Sequence, residues 1–172
     1  MAVTAQLDVN LTAAQSGAHA FGGPYWNAAM SLSQAFSDGT TVNKFDRLYM
    51  AQRTVATGAN DDIDLTGVLT DVFGATIAAV ELVGIMVINK QKDGTVNTTN
   101  LTIGAGSNPF TGFLGGTTPT LGPIRPGGVL LLMSPDAAGL GAITAGTGDI
   151  LRIANSAGAT NVYQIALLMR SA

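Results

Sequence analysis

Apolar and polar residues alternate without error at the start of the chain. Val3, Ala5, Leu7, Val9 and Leu11 interleave with Thr4, Gln6, Asp8, Asn10 and Thr12, the period of a strand with one apolar face. Thr12 to Pro24 is rich in Gly, Ala and Ser and predicts a connector without regular structure. Val3 to Leu11 therefore reads as an arm that pairs either with its own sheet or with the sheet edge of a neighbouring subunit. From Met30 onward, short apolar runs are separated by turn residues at Asp38-Gly39, Thr57-Gly58, Asp93-Gly94, Gly115-Gly116, Gly127-Gly128 and Ala157-Gly158. The strands predicted are Met30 to Phe36, Phe45 to Ala56, Ile63 to Thr66, Ile77 to Asn89, Asn100 to Ala105, Val129 to Ser134, Asp149 to Asn155 and Asn161 to Arg170. A one- or two-turn helix over Asp71 to Ala79 is the competing reading at one place, weakened by Gly74.

This pattern predicts an all-β fold, an antiparallel β-sandwich of jelly-roll type, with an arm and connector over 1–28 and the sandwich over 29–172. Three strands are apolar on both faces. In Val80 to Asn89, Val80, Leu82, Met86 and Ile88 share one face, and Val83, Ile85 and Val87 the other. Val129 to Met133 behaves the same way, and the last strand sets Tyr163, Ile165, Leu167 and Met169 against Val162, Ala166 and Leu168. A two-layer sandwich has one interior, so the second apolar face needs a cover: the arm, a helix or, the reading preferred here, another subunit.

Composition sharpens this point. Of 172 residues, 47% are hydrophobic and only 11% charged, less than half the usual share. The chain is one domain's length and long enough to bury a core without disulfides. It has no cysteine, which excludes thiol catalysis, iron–sulfur clusters and Cys-based zinc sites. A net charge of −3 argues against nucleic acid as a partner. The greasiest stretch, Ala75 to Ile88, is broken by Glu81 and Gly84 and too short to span a bilayer, and the N-terminus carries no signal-peptide pattern, so synthesis in a cytoplasm is expected.

Candidate chemistry is sparse. The one histidine, His19, lies between alanines in the connector; phosphate-binding loops and the G-x-S-x-G elbow are absent. Asp61, Asp62 and Asp64 form the densest carboxylate cluster but lack EF-hand spacing, and read as a solvated strand entry ahead of a weak Ca²⁺ site. Glu81, the only glutamate, sits in an apolar strand without the second acid that a glycosidase needs. Asn10-Leu-Thr, Asn97-Thr-Thr and Asn100-Leu-Thr match glycosylation sequons and read as strand and turn chemistry. Phe21 to Asn27 gathers Phe21, Tyr25 and Trp26, either as an anchor pinning the connector to the core, the preferred reading, or as a platform for sugar rings. No enzymatic activity, cofactor or resident metal is expected.

Three C-terminal segments carry a resemblance. Ile124-Arg-Pro-Gly-Gly-Val-Leu-Leu-Leu-Met-Ser-Pro135, Gly148-Asp-Ile-Leu-Arg-Ile-Ala-Asn155 and Val162-Tyr-Gln-Ile-Ala-Leu-Leu-Met169 resemble small jelly-roll structural proteins of tailed bacteriophages. The resemblance covers the last third to half of the chain and implies a virion component, a cement or decoration protein made in the host cytoplasm that clamps neighbouring subunits of the major capsid protein. Sparse charge and two-faced strands independently predict a subunit built for permanent contacts, a homo-dimer or homo-trimer among them. The interaction residues expected are Val3, Leu7, Val9 and Leu11 on the arm, with Tyr25 and Trp26. The alternative is a carbohydrate- or receptor-binding module that uses Tyr25 and Trp26.

Overall fold

A computed structural model describes residues 2–115 and 119–172. The protein is all-β, and among the described residues there is no helix, so none is long and apolar enough to cross a membrane. Fourteen strands follow in order: β1 (Ala5–Ser16), β2 (Tyr25–Asp38), β3 (Lys44–Phe45), β4 (Arg47–Val55), β5 (Asn60–Asp64), β6 (Thr66–Thr70), β7 (Thr76–Ala78), β8 (Glu81–Ile88), β9 (Leu101–Gly104), β10 (Thr120–Ile124), β11 (Val129–Met133), β12 (Gly141–Ala142), β13 (Ile150–Asn155) and β14 (Asn161–Arg170). Where a helix competed over Asp71 to Ala79, the chain forms a turn in which the Asp71 carboxylate accepts the Phe73 and Ala75 amides, followed by β7. The turn expected at Gly115-Gly116 lies outside the described residues, since Gly116 is not among them.

Eight strands build two antiparallel sheets, ordered β11-β8-β14-β4, with the short β12 also paired to β8, and β10-β9-β13-β5. The pairing is nested. Counted along the chain, the first of the eight pairs with the last (β4 with β14), the second with the seventh (β5 with β13), the third with the sixth (β8 with β11) and the fourth with the fifth (β9 with β10). The inner faces meet in one core in which Leu82, Ile85, Val87, Tyr163, Ile165, Leu167 and Met169 pack against Ile63, Leu101, Ile103, Leu151 and Ile153. Each is almost wholly buried, contributing about 1.5–3 kcal/mol of transfer free energy per large side chain.

Two departures from simple alternation have local causes. In β8 the register against β14 jumps from Leu168↔Gly84 to Met169↔Leu82, leaving Val83 as an extra residue. The bulge reverses the phase of the strand, so Leu82 joins Ile85 and Val87 in the core while Val83, Met86 and Ile88 face outward; the expected grouping of Leu82 with Met86 is corrected on this ground. β10 is not among the strands that the sequence predicts, and it contains Pro123. It is tolerated there because β10 is an edge strand whose register shifts between Leu121 and Ile124.

One end of the sandwich is closed by buried amides. The side-chain amide of Asn97 donates to Asn89 Oδ1 (2.9 Å) and Asn161 Oδ1 (3.0 Å), and that of Asn161 donates to Asn89 Oδ1 (2.9 Å) and Thr99 Oγ1 (3.0 Å). Asn97, the first residue of one sequon, is thus held inside the fold.

The N-terminal region is a long hairpin. β1 pairs with β2 through twelve consecutive positions, from Ala5↔Phe36 to Ser16↔Tyr25. Two expectations are corrected. Regular structure continues to Ser16, so only residues 17–24 connect the strands, and the boundary expected at residue 28 falls inside β2, which ends at Asp38. The hairpin is tied to the sandwich at its root. β2 pairs in parallel with β3 at Ser37↔Lys44 and Asp38↔Phe45, and Phe36 meets Phe45 edge to face with centroids 6.0 Å apart. Both rings pack on Val83 and Leu168 of the outer sheet face, with Val3, Ala5, Leu48 and Met133 around them. The cover that the second apolar face requires is therefore supplied in part by the arm's own root.

Candidate interaction surface

The hairpin is a ribbon with two unlike faces, because directly opposed residues on paired strands point the same way. Ala5, Leu7, Val9, Leu11 and Ala13 on β1 stand opposite Phe36, Gln34, Leu32, Met30 and Ala28 on β2, an apolar face extended by Trp26 opposite Gln15. The other face pairs Gln6, Asp8, Asn10 and Thr12 with Ala35, Ser33, Ser31 and Ala29. On that face the Gln6 amide donates to Ser33 Oγ (2.7 Å) and Asp8 Oδ1 (3.2 Å).

Beyond the root the apolar face lacks a cover. Leu11 is 59% exposed, Met30 73% and Trp26 59%, and Val9 and Leu32 are also exposed. Leu7, Val9, Leu11, Met30 and Leu32 line a cleft of 540 Å³ whose opposite wall is Leu131, Leu132 and Met133 of β11. Further along the same outer sheet face lies a shallow trough of 320 Å³ lined by Met50, Ala166 and Met86 in one row and by Gln52, Gln164 and Ile88 in the next, with Lys92 beside them. Met50 remains 57% exposed there.

The residues expected to make contacts divide accordingly. Val3 belongs to the root cluster and Leu7 is half-buried beside it, whereas Val9 and Leu11 lie on the open ribbon face. Tyr25 and Trp26 are exposed at the far end of the hairpin, as is Phe21, so the expected anchor to the core is corrected: nothing of the core is within their reach. Being consecutive in a strand, Tyr25 and Trp26 point to opposite faces, Trp26 onto the apolar one and Tyr25 onto the polar one, where its hydroxyl donates to Asn27 Oδ1 (3.4 Å). Met30, Leu32 and Met50 are not singled out by the sequence, whereas Met86 and the Val129 to Met133 run that holds Leu131 enter there as two-faced apolar positions. The period-two run Trp26, Ala28, Met30, Leu32 was legible in the sequence; what hid it was the assumption that a strand near the domain start pairs within the sandwich.

The polar candidates are engaged in structural bonds. Asp61 receives a two-pronged hydrogen bond from Arg53 (2.7 and 2.6 Å) and the hydroxyl of Tyr163 (2.7 Å). Burial, reinforced by the Asp61 carboxylate, pushes the Tyr163 phenol far above its ordinary value, so it stays a donor. Asp62 accepts both prongs of Arg152 (2.5 and 2.6 Å), and Asp64 accepts the Thr66 amide (3.0 Å). The three carboxylates diverge to separate partners, and among the described residues no three His, Cys, Asp or Glu side chains converge as metal ligands. Glu81 is paired with Arg170 at 2.7 Å. His19 accepts the Phe21 amide at Nδ1 (3.2 Å) in an exposed loop.

Hydrogen bonds from Arg152 hold the Asp62 carboxyl below its ordinary range. A folded-state value lower than the unfolded one stabilises the native state above the ordinary carboxylate range, and the contribution is lost as pH falls through the lowered value. Arg152→Ala is therefore expected to lower stability at pH 7 by about 0.2–1 kcal/mol, as for other exposed pairs. The gap between wild type and variant should close in strong acid. Denaturant titrations at pH 7 and about pH 2 measure it; an unchanged gap in acid would mean that Arg152 acts through packing alone.

No family model, curated protein or solved structure matches the chain.

Proposed function

We propose that the chain is a structural subunit of a bacteriophage virion, a cement or decoration protein on the capsid surface that bridges and stabilises neighbouring subunits of the major capsid protein. The nested pairing of eight strands in two sheets supports reading the sandwich as a jelly roll, in which a doubled-over ribbon of strands is rolled so that first meets last. The observation that carries the reading is the long ribbon with one solvent-exposed apolar face. A monomer gains nothing from holding Leu11, Met30, Leu32 and Trp26 in water, whereas seating them against a partner returns on the order of 1–2 kcal/mol each. Repeated over a lattice, small contributions of this kind oppose outward pressure on a shell without any chemical step. No cofactor, nucleic acid or membrane enters this mechanism, and a homo-oligomer suits it.

Purified virions of the phage that encodes the chain test the proposal. Quantitative mass spectrometry is expected to find the chain in a fixed ratio to the major capsid protein, and its absence from intact particles would overturn the assignment.

A second reading has one observation behind it, the exposed Phe21, Tyr25 and Trp26 at the far end of the hairpin. A receptor- or carbohydrate-binding module would place aromatics there. On a glycan array the capsid subunit is expected to give no sugar-dependent signal. A signal abolished by Trp26→Ala would favour the binding module instead.

A further inference from the structure

Resting on the reading of the chain as an assembling subunit, we infer that two copies exchange arms: the apolar face of each ribbon lies in the outer-face trough formed by Met50, Met86, Ile88 and Ala166 of the other copy. Two features of the molecule support this partner. First, the outer sheet face already seats an arm, since Phe36 and Ala5 at the root cover Val83 and Leu168. The trough continues that same apolar layer along β8, β14 and β4. A second ribbon in the trough extends an interface that the protein itself has built.

Second, the surfaces match in chemistry. The ribbon face carries no ionised group, its polar members being Gln15 and Gln34. The trough floor has one apolar row, Met50, Ala166 and Met86, and a second row in which Gln164 stands between Gln52 and Ile88; Lys92 is the one charged residue in its lining. Methionines on both sides, Met30 on the ribbon and Met50 and Met86 in the trough, adapt to an imperfect fit. The subunit's own arm reaches one end of this layer, where Ala5 and Leu7 share a 290 Å³ cavity with Met50, Met86 and Ala166, but none of its residues lines the trough itself. Its root directs it past β11, where the 540 Å³ cleft separates it from Leu131, Leu132 and Met133.

The absence of cysteine makes the test clean. Met30→Cys and Met86→Cys chains, each carrying a single thiol, are mixed and oxidised. Disulfide-linked pairs joining the two variants are expected, in excess of the homodimers that either variant forms alone. In parallel, sedimentation should show wild type associated at about 100 µM, with Met30→Asp weakening association at least 100-fold while circular dichroism stays unchanged. A monomeric wild type, or a dimer that fails to cross-link between positions 30 and 86, would overturn arm exchange. A mixed cross-link confined within one chain of a Met30→Cys/Met86→Cys double variant would overturn it too, by assigning the trough to its own ribbon. The capsid reading fails separately: an arm-exchanged dimer absent from virions refutes that reading alone, and a monomer present on virions refutes only the exchange.

Discussion

Arg170→Ala is expected to lower the stability of the sandwich by about 3–5 kcal/mol, the range for removing one member of a buried pair, and the thermal midpoint by on the order of 10 °C. Arg170 ends β14 and is fully buried. Its guanidinium donates to Glu81 Oε2 (2.7 Å) and to the carbonyls of Lys44 (3.0 Å), Asp136 (2.7 Å) and Ala137 (3.3 Å). One side chain therefore ties β8, β3 and the loop after β11 to the last strand. Alanine leaves a carboxylate that is only 13% exposed and removes a donor from three carbonyls, of which Asp136 alone keeps another, the Gly139 amide. Glu81→Gln should cost less, because the amide still accepts from Arg170 and every carbonyl keeps its donor, although the buried guanidinium loses its counter-charge. Urea unfolding of the two variants checks the order. Equal losses would mean that the charge pair alone, and not the carbonyl cradle, holds this corner.

Shortening the arm should do the reverse, abolishing association while sparing the fold. Gly17 donates its amide to the Pro24 carbonyl (3.0 Å), and hydrogen-bonded and non-bonded pairs alternate in an antiparallel ladder. Val9 and Leu32 are consequently a hydrogen-bonded pair, the kind that a two-residue turn can close. Replacing residues 10–31 by Asn-Gly keeps Val3, Ala5, Leu7 and Phe36 in the root and removes most of the open face. Deleting residues 1–24 is a poorer test, because it strips Val3 and Ala5 from the root cluster and leaves β2 unpaired. The shortened chain is expected to unfold within about 0.5 kcal/mol of wild type, as surface changes usually do. Attachment to capsid shells and self-association should each fall at least 100-fold, about 2.7 kcal/mol. Undiminished attachment would remove the arm from the mechanism.

The strands of the sandwich were legible because period-two alternation and Gly-containing turns are local signals, and so were the two-faced β8 and β14. What escaped was set by partners distant in the chain. A bulge at Val83 depends on the register of β14, more than eighty residues later, so strict alternation placed Leu82 on the wrong face. Pro123 argues against a strand until its edge position is known. The ribbon's first strand was visible in Val3 to Leu11, but its partner in β2 read as part of the sandwich, because a polar–apolar strand has the same pattern wherever it pairs. Arg170, Asn97 and Asn161 carried no sequence signal, since a buried polar residue differs from an exposed one only in the neighbours that the fold brings to it. The low charge content pointed toward association; which faces were bare needed the register.

Nested strand order also imposes a timetable on manufacture. A ribosome delivers the ribbon first and β14 last, yet β14 lies at the centre of its sheet and supplies Ala166 to the trough. Each nascent polypeptide thus emerges with an adhesive appendage long before it owns a receptacle. Under the proposed exchange a copy accepts another's arm only once β14 has been made, which favours pairing among finished molecules over tangling on a shared messenger.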